Sequence, residues 1–449
     1  MARSVMWFRR DLRLADHPAL VAAAASGDVV PLFVVDPIFT RRAGAPRLAF
    51  LAAALAALDD QLGGGLVYRH GDPASVVPAF AAEVGATAVF VTRDHAPYGR
   101  RRDAEVAERL RSAGRSLTGV GSNYAVEPGT VGKSDGSGYS VFTPFAKAWR
   151  AHGWEPPVHA PKVRWRGAPD VTCEGPPKAP VTALDLPVAS AAAWHRHWER
   201  FVADGLDEYA ERRNLPAEQG TSRMSIALRW GIVHPRQLLD DLGQTRSHDR
   251  FRAELAWREF YADVLLRRPG SAYTNLQRRM DALPVDTDRR AKARFATWKA
   301  GATGFPIVDA GMRQLRATGW MHNRLRMITA SFLVKDLHLP WQWGARHFME
   351  LLLDGDLASN SHGWQWTAGT GTDPAPFFRV FNPTSQSEKF DPTGEYIRRW
   401  VPELRDLPDG AIHDPGLLRP ETYPAPIVDH AAERLDALAR YKSAMDASR

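Results

Sequence analysis

The hydrophobic period of the chain changes once, and that change limits the folds open to it. Up to about residue 125, short β-branched runs alternate with helical ones. Residues 3–9 (RSVMWFR), 29–36 (VVPLFVVD), 66–70 and 87–92 read as strands. The run DLRLADHPALVAAAAS and residues 48–62, 73–84 and 101–113 read as helices between and after them. Strands alternating with helices build a parallel sheet covered on both faces. Residues 1–125 are therefore expected to form a doubly wound α/β domain. It has no GxGxxG after its first strand, so a dinucleotide in the usual Rossmann position is not expected. From about residue 191 the period is three to four throughout, punctuated by Pro, Gly and Asn, which predicts an all-α domain over 191–449. Between the two, residues 126–190 are first Gly/Ser-rich and then carry a proline every few residues. That density disfavours regular helix and predicts a long connector wrapped over the surface, with one helix after Pro144.

Charge and side-chain inventory narrow the function. Lys and Arg number 58 against 51 Asp and Glu, a net charge of +7 that favours polyanionic partners. The 15 Trp lie mostly after residue 190; they are either ordinary core or the lining of a cofactor or base-stacking pocket, which would also use them. Cys173 is the sole cysteine, so an intramolecular disulfide and a cysteine-ligated zinc or iron–sulfur centre are excluded, and no metal is expected. No uncharged apolar run reaches 18 residues and no signal-peptide pattern is present, so a cytoplasmic protein without a membrane span is expected.

Two stretches lack the pattern of ordinary core. Asp354–Asp373 (DGDLASNSHGWQWTAGTGTD) holds carboxylates, an Asn, a His and two Trp but no continuous apolar face. It reads as a Gly-rich loop in which extended or irregular backbone puts Trp364 and Trp366 on one side. Gly319–Leu333 (GWMHNRLRMITASFL) reads as one helix, with Trp320, Asn323, Arg324 and Met327 on a mixed face and Met321, Leu325, Ile328 and Phe332 on an apolar one. Glu254, Trp257, Arg258 and Tyr261 repeat the same spacing; taken alone, Glu254–Arg258 is better read as a surface i, i+4 ion pair. GTSRMS (220–225) reads as a helix start whose hydroxyls and N–H groups suit a phosphate, or merely cap the helix.

Together these motifs are specific. WFRRDLRLADHPAL, RAELAWREFY, GWMHNRLRM, DGDLASN–GWQW and FNPTSQSEKFD, in that order along nearly the whole chain, resemble the photolyase/cryptochrome flavoproteins, and within them the class I cyclobutane pyrimidine dimer photolyases. The resemblance implies light-driven repair of such dimers by electron transfer from excited reduced FAD, performed by a monomer on damaged DNA. It assigns FAD to Tyr209, Thr221, Ser222, Arg223, Met224, Ser225, Arg258, Asn323, Arg326, Asp354, Gly355, Asp356 and Asn360. Arg326 is expected to pair with Asp354 against the flavin. Asn360 matches the position facing flavin N5, where plant cryptochromes carry Asp and animal cryptochromes Cys. Arg213, Glu254, Trp257, Arg324, Met327, Trp366 and Gln386 are implied to meet DNA, with Glu254 and Asn323 on the lesion bases and Arg324 on a phosphate. Trp364 and Trp341 match the first two members of an electron-transfer chain. The third has no counterpart, because its place falls near Asp286–Asp288, leaving Trp343 or a tyrosine to end the chain. Asp36, Arg47 and Asp94 match an antenna site of deazaflavin type, but Ala96 stands where deazaflavin-binding relatives carry Glu, and no folate pattern is evident. A second chromophore is thus left open. The other reading is a cryptochrome-like blue-light receptor without repair activity.

Overall fold

The computed structural model describes residues 3–166, 173–373 and 379–446. All four expected strands form, and a fifth joins them. β1 (Arg3–Phe8), β2 (Asp28–Val35), β3 (Val67–His70), β4 (Ala88–Val91) and β5 (Ser116–Gly119) make one parallel sheet in the order β3-β2-β1-β4-β5. Central β1 sets Val5 against Val30 and Trp7 against Leu32. All eight residues of β2 are buried, which is why its sequence is a continuous apolar run. β5 (SLTG) is short and incompletely buried, so nothing apolar marks it in the sequence. Helices α1 (Pro18–Ser26), α2 (Ala45–Gln61), α3 (Pro73–Glu83) and α4 (Pro97–Ser112) follow the strands in turn. On one face Val5, Trp7, Val30, Leu32 and Val34 form a core with Val77 and Phe80 of α3 and Val106 and Leu110 of α4.

In the connector, α5 (Phe142–His152) begins two residues before Pro144, because proline is tolerated in a helix's first turn. Residues 167–172 of the connector lie outside the described residues. α6 (Ala191–Asp204) and the long α7 (Arg246–Arg267) follow. Contacts group residues 1–182, 186–207 and 222–269 into one compact unit and 183–185, 208–221 and 270–449 into another. This line differs from the expected boundaries at 125 and 190, which follow the change of hydrophobic period. Buried polar links explain why 222–269 belongs with the sheet. Asp16, fully buried, takes the Arg236 guanidinium and meets His234 Nδ1 at 2.9 Å. Arg13 donates to the Gly231 carbonyl at 3.1 Å.

The second unit is helical. α8 (Arg289–Ala300), α9 (Pro306–Thr318), α10 (Asn323–Ser331), α11 (Trp341–Leu351), α12 (Leu357–Ala368), α13 (Pro383–Phe390) and α14 (His430–Asp446) are its main elements. Trp298, Ile307, Leu315, Leu325, Phe348 and Trp364 belong to one core. No helix among the described residues is long and apolar enough to cross a membrane.

Three local expectations are corrected here. Gly319–Leu333 is not one helix: Gly319, at φ +65°, ends α9, and α10 starts only at Asn323 behind the cap His322. A Cβ at 319 would also lie 2.9 Å from Leu353 Cγ. Trp320 therefore does not share a helical face with Asn323, Arg324 and Met327. Asp354–Asp373 is not chiefly a loop: Asp356 caps α12 by accepting from Ser359 N at 3.1 Å. Its buried side includes polar groups that hydrogen bonds satisfy, so no apolar stripe was needed. Gln365 donates to Ser271 O at 2.7 Å and accepts from Leu276 N at 2.8 Å, and His362 meets Ser271 Oγ at 2.9 Å. On a helix Trp364 and Trp366, two residues apart, point to opposite sides: Trp364 is buried and Trp366 half-buried. Finally, GTSRMS does lead into a helix, but Met224 and not a hydroxyl residue stands at its cap, with no side-chain cap bond. The six-residue helix there starts at Ser225, and Arg223 sits at φ +50° before it.

Candidate active site

Most of the expected site residues lie in the helical unit, and its two polar corners are built by helix starts. His322 is buried, and burial together with the charges of Arg324 and Arg326 lowers its pKa to about 3. The neutral ring accepts from Arg324 N at 3.1 Å and so fixes the first turn of α10. That turn carries Asn323, which is exposed, and Arg324, which is half-buried. Arg324 donates to Asn214 Oδ1 at 2.7 Å and lies 4.1 Å from the centre of the Phe390 ring. Burial, and then the charge of Arg213, lower its pKa from the ordinary arginine value. Arg213 rests on the ring of Tyr209 at 5.3 Å. Two guanidinium groups close enough to feel each other make an anion a favourable guest.

Two residues further on, Arg326 donates to Met321 O and to Asp354 Oδ2, both at 2.8 Å. The expected Arg326–Asp354 pair is thus present. Gly355 donates to Leu352 O at 3.0 Å and leads to Asp356 at the start of α12. Asp354 and Asp356 are 7% and 8% exposed, so both carboxyls are held largely out of water. On the first turn of α12, Asn360 donates its amide to Ala345 O at 2.9 Å, which ties it to α11. Met327 on α10 is half-buried.

Trp364 is 3% exposed, and α11 accommodates it through Gly344, where a Cβ would lie 2.1 Å from Trp364 Cη2. Its ring meets Phe348 at 5.0 Å and Trp298 at 6.2 Å. Trp341, also buried, donates to Asn275 Oδ1 at 2.9 Å. At the place of the missing third Trp, Asp286 pairs with Arg440 and Asp288 caps α8. Trp343 is half-buried and meets Phe295 at 5.4 Å; Phe295 in turn stacks on Trp298 at 5.8 Å. Gln386 lines an open cleft of about 430 Å³ with Arg379, Phe381, Asn382 and Arg434.

The first unit carries the rest. Ser222 is buried and accepts from Met224 N at 3.3 Å, Met224 is buried, and Arg223 and Ser225 are exposed. Thr221, their neighbour in sequence, falls in the second unit. On α7, Glu254, Trp257 and Arg258 are half-buried. Arg258 donates to Asn123 O at 2.9 Å and to Leu228 O at 3.4 Å, with its guanidinium 4.4 Å from the Tyr124 ring. Trp257 stacks on Phe142. Among the residues considered for an antenna, Asp36 accepts from Tyr98 Oη at 2.5 Å, Arg47 is buried, and Asp94 pairs with Arg102 at 3.3 Å. Sequence reasoning missed Glu259, Gly344, Trp298 and Phe142. None carries a local signal, since each is defined by a partner distant in sequence.

The N-terminal part, residues 4–162, matches the family model described as DNA photolyase, and residues 251–443 match that of the FAD binding domain of DNA photolyase. A deoxyribodipyrimidine photo-lyase of Escherichia coli K12 is 40% identical, covering 99% of this chain and 99% of its own. The chain belongs to the DNA photolyase family. It is an FAD-binding enzyme of the kind that repairs damaged DNA. A bacterial class III photolyase from Agrobacterium tumefaciens has the same fold, with TM-score 0.91 and 34% identity over 99% of this chain and 98% of its own. So does a cryptochrome from Synechocystis, with TM-score 0.90 and 28% identity over 98% and 99%.

Proposed function

We propose that the chain splits cyclobutane pyrimidine dimers in DNA under light, acting as a monomer of the class I type in the cytoplasm, with an α/β domain at 1–125, a connector at 126–190 and a helical catalytic domain at 191–449. The observation that carries this reading is the set built at the start of α12: Asn360 anchored on Ala345 O, beside Asp356 and the Arg326–Asp354 pair. These residue types suit FAD. Two largely buried carboxyls, a guanidinium and an amide offer both acceptors and donors to the polar edge of a flavin, and Arg258 offers a cation to a diphosphate. Reduced FAD, when bound, supplies the light-driven electron.

The chain's own residues do the rest. Arg213 and Arg324 take backbone phosphate and hold the damaged strand. Trp257, Met327 and Trp366 each offer the extruded dimer an apolar contact in place of its lost stacking. Glu254 and Asn323 hydrogen-bond the base edges, and a donor there favours the negative charge that develops on the dimer. Trp364 and then Trp341 supply electrons when the oxidised cofactor is photoreduced, because indole is the most easily oxidised common side chain.

The test is a set of duplexes bearing a cyclobutane dimer, a (6-4) photoproduct or no lesion, given to the FAD-loaded, reduced protein under blue light. The dimer should be restored and the (6-4) photoproduct left unchanged. The likeness to a cryptochrome fold supports the second reading, a light receptor. In that case FAD would bind and be photoreduced, yet no dimer would be restored.

A further inference from the structure

The Trp257 ring does not stand alone. Phe142 lies parallel to it, with 3.7 Å between ring centres and 7° between planes. Phe260 meets it edge-on at 5.7 Å, and Tyr261 meets it at 5.3 Å and 44°. A parallel contact this close covers one face of the indole. Trp257 as a residue is nonetheless only half-buried, and a flat guest cannot take the face of the indole that Phe142 covers. A tryptophan at a surface has several staggered rotamers to choose among, and a parallel partner selects one of them.

Phe142 is itself held in place. It is the first residue of α5, and α5 is fastened to α7 from below. Phe145 packs on Phe260 at 5.2 Å. Trp149 donates its indole N–H to Glu259 Oε2 at 2.6 Å. Glu259, 2% exposed, also accepts from Ala125 N at 2.5 Å and Val126 N at 3.0 Å. Asp263, one turn on, accepts from Gly129 N at 2.8 Å. Glu259 and Asp263 of α7 thus hold the backbone at 125–129, and the connector returns an aromatic ring to the α7 residue between Glu254 and Arg258.

We propose that Phe142 is a positioning residue for Trp257: the connector helix α5 is a back wall that presents the indole as a fixed platform for a damaged base. This rests on the reading of Trp257 as a dimer contact. The alternative is plain apolar packing, which needs bulk but not a flat ring, and the two separate on that point.

The experiment is a dark titration of the FAD-loaded protein with a duplex carrying one cyclobutane dimer, and with the undamaged duplex, at fixed salt. Phe142→Leu should weaken dimer binding about fivefold, as loss of one aromatic pair implies. It should leave binding of the undamaged duplex and the FAD content unchanged. Phe142→Tyr, which keeps the ring, should bind within about twofold of the parent. In a Trp257→Ala background Phe142→Leu should have no further effect, because the two act as one unit. Wild-type binding by Phe142→Leu, or weakening that adds fully to that of Trp257→Ala, overturns the proposal. If Phe142→Leu loses FAD or does not fold, Phe142→Met takes its place. If that also fails, the ring serves the fold and the positioning role is overturned. If Trp257→Ala alone binds the dimer as the parent does, the reading of Trp257 falls first. That outcome is distinct from a failure of Phe142 while Trp257→Ala still weakens binding.

Discussion

Gly344 and Trp364 are 20 positions apart in sequence and touch in space. Adding one methyl at Gly344 brings it within 2.1 Å of the indole, so the ring must move off α11. Gly344→Ala should cost about 1–3 kcal/mol, as overpacking a filled core does, and should slow photoreduction of the oxidised flavin; a melting curve and a blue-light absorbance time course would measure both. Trp364→Phe should abolish that photoreduction while sparing dimer splitting by chemically reduced protein. If the Phe variant is photoreduced at the parent's rate, Trp364 is not the first donor. The expected pairing of Arg326 with Asp354 is present. What could not be read from the sequence is which ring lies next to Trp364. Trp298 lies 6.2 Å from it, yet in sequence it is one more aromatic in an amphipathic helix.

The legibility of whole elements follows what their buried faces are made of. β2 was legible because it is buried throughout and so is apolar throughout. β5 was not, because it is short and incompletely buried. α12 reads as a loop in the sequence because its buried side includes Ser361, His362 and Gln365, which hydrogen-bond to the distant segment at 271–276. The α5–α7 contact adds a pH dependence that no pattern announces. Burial raises the Glu259 pKa from 4.5 to about 7, outweighing the Trp149, Val126 and Ala125 donors that favour its charged form. The folded protein then holds a proton that the unfolded chain releases. Stability should fall as pH rises from about 4.5 to about 7 and be flat in this respect on either side. Glu259→Gln should remove that slope, and should cost about 1–3 kcal/mol even at low pH, because its NH₂ faces donors that need an acceptor. Thermal midpoints of both proteins between pH 4 and 8 would check this. An unchanged slope in Glu259→Gln would assign the pH dependence to another group.

For the molecule as a whole, a basic chain with paired arginines at Arg213 and Arg324 should bind undamaged DNA more weakly as salt rises, since each phosphate neutralised releases condensed counterions. Arg324→Ala should lower the slope of log affinity against log salt by about one unit; an unchanged slope would place Arg324 away from the strand. The passage from a parallel α/β sheet to an all-helical part was legible from the single change of hydrophobic period. The grouping of 222–269 with the sheet was not, because it depends on Asp16, Arg236 and His234 meeting across more than 200 positions. The most direct measurement is the amount of dimer restored in a defined oligonucleotide by purified, reduced, FAD-loaded protein, under blue or near-ultraviolet light and in darkness. Restoration under light and none in darkness is the predicted result. Equal dimer in the two samples, from protein that binds both FAD and the damaged strand, would contradict the account.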